Sequence, residues 1–377
     1  MPTLPDGRPT FCTIDLDNLR WNLRQVRAKV GARVKILSMV KANGYGHGAP
    51  AVARALVEAG SDAFGVATLE EGMELRQAGI RSPILVVAGI FLEQLDLCFE
   101  NHLTPVAHDL ESLRRLEETV QARGATLNVH LKIDTGMGRL GLPAADIYSW
   151  LPKVKNLKAL QIEGVFSHFS TAESVDGDYT RKQLVTFLHV VERLRAEGIA
   201  PPLVHLANSA ATVTMPAAYF DMVRPGLMLY GIYPSAAMAG QVELKPVLSW
   251  KSRILQLKKV PAGASISYGQ TFVAKRESLI AALPVGYADG YSRLLSNRGA
   301  ALVRGQRAPV AGRVCMDLTM LDVTDIAKVE QGDEVVLLGR QGDAEISADE
   351  MAAWAETIAY EILTSIGARV SRIPINF

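Results

Sequence analysis

Over its first two thirds the chain alternates short apolar runs with longer amphipathic segments. The runs predict strands at Val34–Val40, Phe64–Ala67, Ile84–Ala88, Thr104–Ala107, Leu127–Ile133, Leu160–Phe166, Leu203–Ala207 and Asp221–Arg224. Between them, apolar residues recurring three and four apart predict helices over Ala49–Ala59, Leu69–Ala78, Leu110–Arg123 and Tyr179–Glu197. Near-continuous apolar strands separated by helices describe a parallel sheet covered on its faces. Eight such units fit a closed (β/α)8 barrel, and an open doubly wound sheet is the competing arrangement. After Pro246 the rhythm changes. Val247–Val260, Ser278–Val285, Ala308–Val323 and Glu334–Leu338 read as strands punctuated by Gly and Pro, closed by a helix over Ala348–Ile366 that opens on a Ser347/Glu350 capping box. The expected organisation is a TIM-type barrel over residues 10–240 and a mostly β domain over 241–377, divided near Pro234, Gly240 and Pro246.

A chain of 377 residues suits this two-domain reading, and its 49% hydrophobic content excludes intrinsic disorder. Lys+Arg 40 against Asp+Glu 39 leaves a formal charge of +1, with no basic block of the kind a nucleic-acid or membrane-surface binder carries. Neither partner is expected. Three scattered cysteines, Cys12, Cys98 and Cys315, argue against a disulfide framework or a metal cluster. Met1–Thr10 lacks the apolar run of a signal peptide and no stretch is long enough to span a bilayer, so a cytoplasmic location is expected.

Chemistry-bearing residues gather where the strands end. Lys41 follows the first apolar strand and opens the glycine-rich segment Lys41-Ala42-Asn43-Gly44-Tyr45-Gly46-His47-Gly48. A lysine desolvated there loses basicity, and its free amine attacks carbonyls. A surface lysine before a flexible turn fits the spacing equally well, and His47 reads as a structural hydrogen-bonder. Lys132 to Arg139, His168, Asn208-Ser209 and Arg224-Pro225-Gly226 occupy the ends of four further strands. Each has an ordinary explanation alone, Ser209 as a helix N-cap for example. Together they place several cations and a set of phosphate-suited backbone amides at one barrel mouth.

Several segments in register now carry a resemblance. The Val40–Gly48 segment, Lys132–Leu140, Arg224–Gly231, Ser267-Tyr268-Gly269, Gly286–Gly290, Gly312–Asp317 and Tyr360-Glu361 make the chain similar, nearly end to end, to the alanine racemases. These are fold-type III enzymes dependent on pyridoxal 5'-phosphate. The resemblance implies an isomerase that interconverts L- and D-alanine for peptidoglycan synthesis. It implies that Lys41 holds the cofactor and is one of two bases, and that Tyr268 is the other, reaching the partner's site in a head-to-tail homodimer. Racemisation takes a proton from one face of Cα and returns one to the other, so two groups must flank the carbon. Amines and phenols have reference pKa values near about 10, so a site using them must draw them toward neutrality.

The resemblance assigns Arg224 to the cofactor's ring nitrogen, where a permanent cation donates a hydrogen bond and discourages protonation. It assigns the phosphate to Tyr45, Asn208, Ser209, Tyr360 and the amides of Gly226 and Leu227, and places His168 beside the ring. Arg139 and the main chain at Met316 take the substrate carboxylate. Lys132 matches a lysine that is carbamylated in many members, while Tyr287, Cys315 and Asp317 match pocket positions. Departures are small. Gly44 stands where alanine is common and is expected to loosen the turn, and Leu318 stands where glutamine is common. A broader-range or serine-preferring racemase is the alternative within the family. A decarboxylase of this architecture would place an acid at Arg224, and a cofactor carrier would lack the domain bearing Tyr268.

Overall fold

A computed structural model describes residues 7–174 and 177–376. They form two compact units, one of residues 19–44 and 49–245, the other of residues 7–18, 45–48 and 246–376 among those described.

All eight expected strands of the first unit form: Lys35–Met39, Ala63–Val66, Ile84–Val86, Thr104–Ala107, Leu127–Asp134, Leu160–Phe166, Leu203–His205 and Met222–Val223. Each pairs in parallel with the next. The two-residue Met222–Val223 strand decides between closed and open: Met222 pairs with His205 on one side and with Lys35 on the other, closing the barrel. The apolar runs are buried on both faces, as helices outside and side chains inside require. Helices Ala49–Glu58, Leu69–Gln77, Leu110–Ala122 and Asp178–Ala196 lie within a residue or two of their expected bounds. Helix Leu69–Gln77 opens on a complete capping box between Thr68 and Glu71. Helix Leu16–Val30 escaped the periodicity reading, and so did Ile147–Lys155, which carries Pro152.

The second unit is mostly β, as expected, with several corrections. Strand Phe11–Asp15 belongs here rather than to the barrel, pairing with Leu248–Arg253 and Ser371–Ile375, so a division by continuous stretches at residue 240 misses the chain's return. The run 247–260 is broken at Ile254-Leu255. Leu248–Arg253 joins the larger sheet and Gln256–Val260 pairs with Ser278–Leu283 in a smaller one. The single helix expected over Ala348–Ile366 is two, Ala348–Trp354 and Ala359–Thr364, separated where Glu356 adopts φ 54. Only half of its capping box forms. Ser347 Oγ accepts from Glu350 N at 3.1 Å, while the Glu350 carboxylate pairs with Arg307 at 2.7 Å. The Ala308–Val323 run forms strands only at its ends, Gln306–Pro309 and Thr319–Asp322, and the intervening residues are a loop.

Candidate active site

Val40 leads from the first barrel strand into Lys41 and a left-handed turn: Ala42, Asn43, Gly44 and Tyr45 have φ between 52° and 61°. Three of the four are not glycine, and L-residues there are strained. The turn is held by Gly44 N donating to Val40 O (2.8 Å), Ala49 N to Asn43 Oδ1 (2.9 Å) and Ala42 N to Glu71 Oε1 (2.6 Å). The expectation that Gly44 loosens the turn is therefore corrected. At φ 61 glycine is the least strained residue available, and a Cβ would meet the Ala49 backbone at 3.3 Å. Lys41 is half-buried, and its pKa is lowered chiefly by burial and next by Arg139, with Glu71 opposing.

Lys132 is 5% exposed on the Leu127–Asp134 strand, its Nζ 5.8 Å from the centre of the Phe166 ring. Burial first, then Arg139, Arg224 and Lys41, lower its pKa to about 8 against the opposing pull of Asp134. Arg139 is exposed in a glycine-built loop, where Asp134 accepts from Gly136 N at 2.9 Å and Gly138 N at 3.1 Å. Arg224 is 5% exposed, and its guanidinium donates to Ser167 O (2.7 Å), Leu206 O (3.1 Å) and His205 Nδ1 (3.0 Å). Burial lowers its pKa to about 9, which leaves it cationic at neutral pH. His168 Nδ1 lies 3.4 Å from Arg224 Nη2. Its pKa falls to about 3 through burial and then through Arg224, Arg139, Lys132 and Lys41, so the ring is neutral. Asn208, not Ser209, is the N-cap of helix Ser209–Thr214, accepting from Ala211 N at 3.0 Å. This leaves Ser209 Oγ to accept from Gly226 N at 2.8 Å, one residue before the Leu227–Tyr230 turn.

The second unit gathers the remaining positions. Tyr268 is 71% exposed at the tip of the hairpin Ser265–Ile266/Phe272–Val273. Cys315 O accepts from Tyr287 N and Met316 O from Ala288 N, both at 3.0 Å, which stitches the 286–290 and 312–318 loops together. Asp317 pairs with Arg369 at 2.8 Å, and Arg369 also reaches the buried Asp289 at 3.3 Å. The Tyr45 and Tyr360 rings have centroids 6.0 Å apart. His47 is the structural hydrogen-bonder expected, its Nδ1 2.8 Å from Tyr45 O. Among the described residues no cluster of three or more His, Cys, Asp or Glu is arranged to hold a metal.

Residues 14–234 match the model of the alanine racemase N-terminal domain, and residues 247–374 match that of the C-terminal domain. The chain belongs to the alanine racemase family. It is similar to the alanine racemase of Halothermothrix orenii, 47% identical over 97% of this chain and 96% of that one. It is likewise similar to that of Geobacter sulfurreducens, 44% identical over 98% of each. Among solved structures it matches the alanine racemase of the D-cycloserine producer Streptomyces lavendulae with a TM-score of 0.94, 37% identity and 98% coverage of both chains. It also matches the Bacillus anthracis alanine racemase with bound L-Ala-P, at 0.92 and 36% over 100% of this chain and 96% of that one. As a member of this family the chain is an enzyme of the isomerase class.

Two features of this candidate site were not read from the sequence. Glu71, the capping-box glutamate of helix Leu69–Gln77, also fastens the lysine turn, one carboxylate oxygen taking Ala67 N (2.7 Å) and the other Ala42 N. The Thr68/Glu71 spacing was a usable signal for the cap, not for the second bond. Behind Arg224 runs a buried chain of rings. His205 accepts from the guanidinium at Nδ1, so its proton sits on Nε2, 2.9 Å from His130 Nδ1. His130 Nε2 in turn faces Glu163 at 3.5 Å. Gly164 leaves space for the His130 ring, which a Cβ there would overlap. Burial lowers the pKa of both histidines, Glu163 opposing the shift at His130. Among the described residues no helix is long and apolar enough to cross a membrane.

Proposed function

We propose that this protein interconverts L- and D-alanine with pyridoxal 5'-phosphate held at the barrel mouth. The observation that carries the reading is the charge there. Lys41, Lys132, Arg139 and Arg224 lie close enough to depress one another or the shared neighbour His168, with Asp134 and Glu71 as the opposing carboxylates. Such a cluster calls for anions. Pyridoxal phosphate asks a protein for an amine, a partner for its ring nitrogen and donors for its phosphate. Lys41, Arg224 and the Ser209/Gly226/Leu227 segment fit that donor set in kind, with Tyr45, Asn208 and Tyr360 as further phosphate-side residues. When bound, the cofactor supplies the electron sink that acidifies the Cα–H bond.

The chain's own residues do the rest. Burial and Arg139 favour the neutral Lys41 amine, so Nζ can take a proton from one face of Cα and later return one. Arg224 can only donate, which would keep the ring nitrogen hydrogen-bonded and unprotonated and so limit side reactions. His168, neutral because its pKa falls to about 3, would sit beside the ring without adding charge. Arg139 and the main chain at Met316 hold the substrate carboxylate, with Tyr287, Cys315 and Asp317 around it. Tyr268 serves the opposite face of Cα in the barrel of a second subunit, in a head-to-tail homodimer. Its exposure on an outward hairpin tip supports that assignment. Lys132, with a pKa near 8, has enough free amine to add carbon dioxide. The nitrogen–carbon bond forms, a proton leaves, and the resulting carbamate anion offsets Arg139 and Arg224. Cytoplasmic supply of D-alanine to peptidoglycan follows as the role.

The test is incubation of the purified protein and pyridoxal phosphate with L-alanine in heavy water. Loss of circular dichroism with deuterium entering Cα of both enantiomers is expected. Turnover of serine in preference to alanine would move the substrate to the alternative, and no exchange with any amino acid would overturn the reading. Tyr268→Phe should lose turnover and keep the cofactor's absorption, whereas full activity would remove the second base. Carbon-13 bicarbonate should give a carbamate resonance that is absent in Lys132→Met.

A further inference from the structure

Ser267, immediately before Tyr268, has φ 66 and ψ −175. That is the positive-φ extended region occupied almost solely by glycine, and a side chain persists in it only where its surroundings over-determine the backbone. Gly269 (φ 70) and Gln270 (φ 50) continue the left-handed path on the other side of the tyrosine. The hairpin base is anchored by Ile266 and Phe272 against a small core of Val260, Ala274, Ile280 and Ala311. That packing fixes the base of the hairpin and leaves the tip to be set by polar contacts.

Those contacts all lead to one segment. Ser267 Oγ donates to Arg313 O at 2.6 Å and lies 3.5 Å from Cys315 Sγ. Gly312 lets the two backbones pass closely, since a Cβ there would meet Ile266 O at 2.6 Å and Ser267 Cβ at 2.8 Å. Asn297 clamps both sides, its Nδ2 donating to Thr271 Oγ1 (3.0 Å) and its Oδ1 accepting from Gly312 N (2.8 Å). A glycine at position 267 would relieve the backbone strain. The chain carries instead a residue whose hydroxyl ties the tip to the loop that leads, three residues after Arg313, to Met316.

We propose that Ser267 is a positioning residue: through its bond to the Arg313 carbonyl it fixes Tyr268 relative to the main chain at Met316. Proton-transferring phenol and carboxylate-holding backbone then move as one element. This rests on the reading of Tyr268 as a base. Losing one such bond should slow racemisation about fivefold to tenfold, as expected for a hydrogen bond of ordinary strength.

The experiment measures initial rates of Ser267→Ala and Ser267→Gly, with pyridoxal phosphate bound, on Cα-protiated and Cα-deuterated L- and D-alanine. Ser267→Ala keeps the strained backbone without its tie. Ser267→Gly removes both and should fold readily, which covers the case in which the alanine variant does not. A slowed Tyr268 step makes proton removal by Tyr268 more rate-limiting, so the isotope effect should rise for that enantiomer. From the other enantiomer Lys41 removes the proton, and the intermediate state returns more often, so the effect should fall. Opposite shifts in both variants support the inference. Wild-type rates, or isotope effects that move together alongside a lowered melting temperature, overturn it. Tyr268→Phe measured in parallel separates the two failures: if that variant is inactive while both Ser267 variants behave as wild type, the base assignment stands and the role of Ser267 falls. If Tyr268→Phe is fully active, both fall.

Discussion

The Lys41 turn and the Tyr268 hairpin present two reactive side chains on the same kind of backbone in opposite surroundings. Both lie in runs of positive φ, residues 42–46 in one and residues 267, 269 and 270 in the other. Lys41 stands half-buried at the end of a barrel strand, and its pKa falls chiefly through burial and next through Arg139. Tyr268 stands 71% exposed on a hairpin whose tip is held by a handful of polar bonds. The barrel tunes a group by burial and charge. The hairpin aims one through the polar bonds at its tip.

The largest effect expected of this contrast is at Lys41 itself. Lys41→Ala should lower kcat by about a thousandfold or more, the range of a lost acid–base group, with the cofactor's absorption changed as well. Retention of a tenth of the activity would remove the barrel half of the comparison. Next comes Arg224→Gln, which breaks a buried network of four partners. It should cost about 3 kcal/mol of stability in urea unfolding, where Ser267→Ala should cost under about 1 kcal/mol. Equal losses would mean that the hairpin is as deeply embedded as the barrel mouth.

The pH dependence of stability sharpens the same point. His168 and His205 have folded-state pKa values below the ordinary 6.5, so the unfolded chain binds more protons as pH falls from 6.5 toward 3, and stability is lost across that window. Unmodified Lys132 acts at the other end. With a folded pKa of about 8 against 10.5, its charged form opposes folding below about pH 8, and stability recovers between about pH 8 and 10.5. Urea midpoints of wild type and Lys132→Met across that upper range should converge as pH rises. A constant difference would show that Lys132 is not held as a buried cation. A smaller effect is expected of Glu71→Gln, which keeps one acceptor oxygen for the lysine turn and loses the charge opposing the shift at Lys41. Activity should fall about threefold to tenfold, with the alkaline limb of the cation's titration moved to lower pH. The smallest is Gly44→Ala. A methyl at φ 61 against the Ala49 backbone should cost about 1 kcal/mol, a fall of a few degrees in Tm.

Much of this was legible without coordinates, and unevenly so. The eight apolar runs located every barrel strand because strands buried on both faces have little freedom in composition. Lys41, Lys132, His168 and Arg224 were legible as strand-end residues, and the barrel indeed brings them within electrostatic reach of one another. Phe11–Asp15 was not legible as part of the β unit, because pairing with residues more than 200 positions away leaves no local trace. Glu71 and the His205–His130–Glu163 chain were missed for a related reason. A glutamate in a capping box and two histidines on apolar strands look structural until the fold shows what their second polar atoms meet.

The sequence by itself determined the order of elements, the barrel-plus-β class, the residue types at the strand ends and, through motifs in register, the family. Periodicity and motif chemistry are local, and the chain writes them within a few residues. Only the tertiary structure decided that the barrel closes, through the two-residue pairing at Met222–Val223, and that Gly44 suits a left-handed turn rather than loosening it. It also decided which cations lower which pKa and that a strained serine ties Tyr268 to the Arg313 carbonyl. These depend on distances and burial between residues far apart in the chain, which local pattern does not encode.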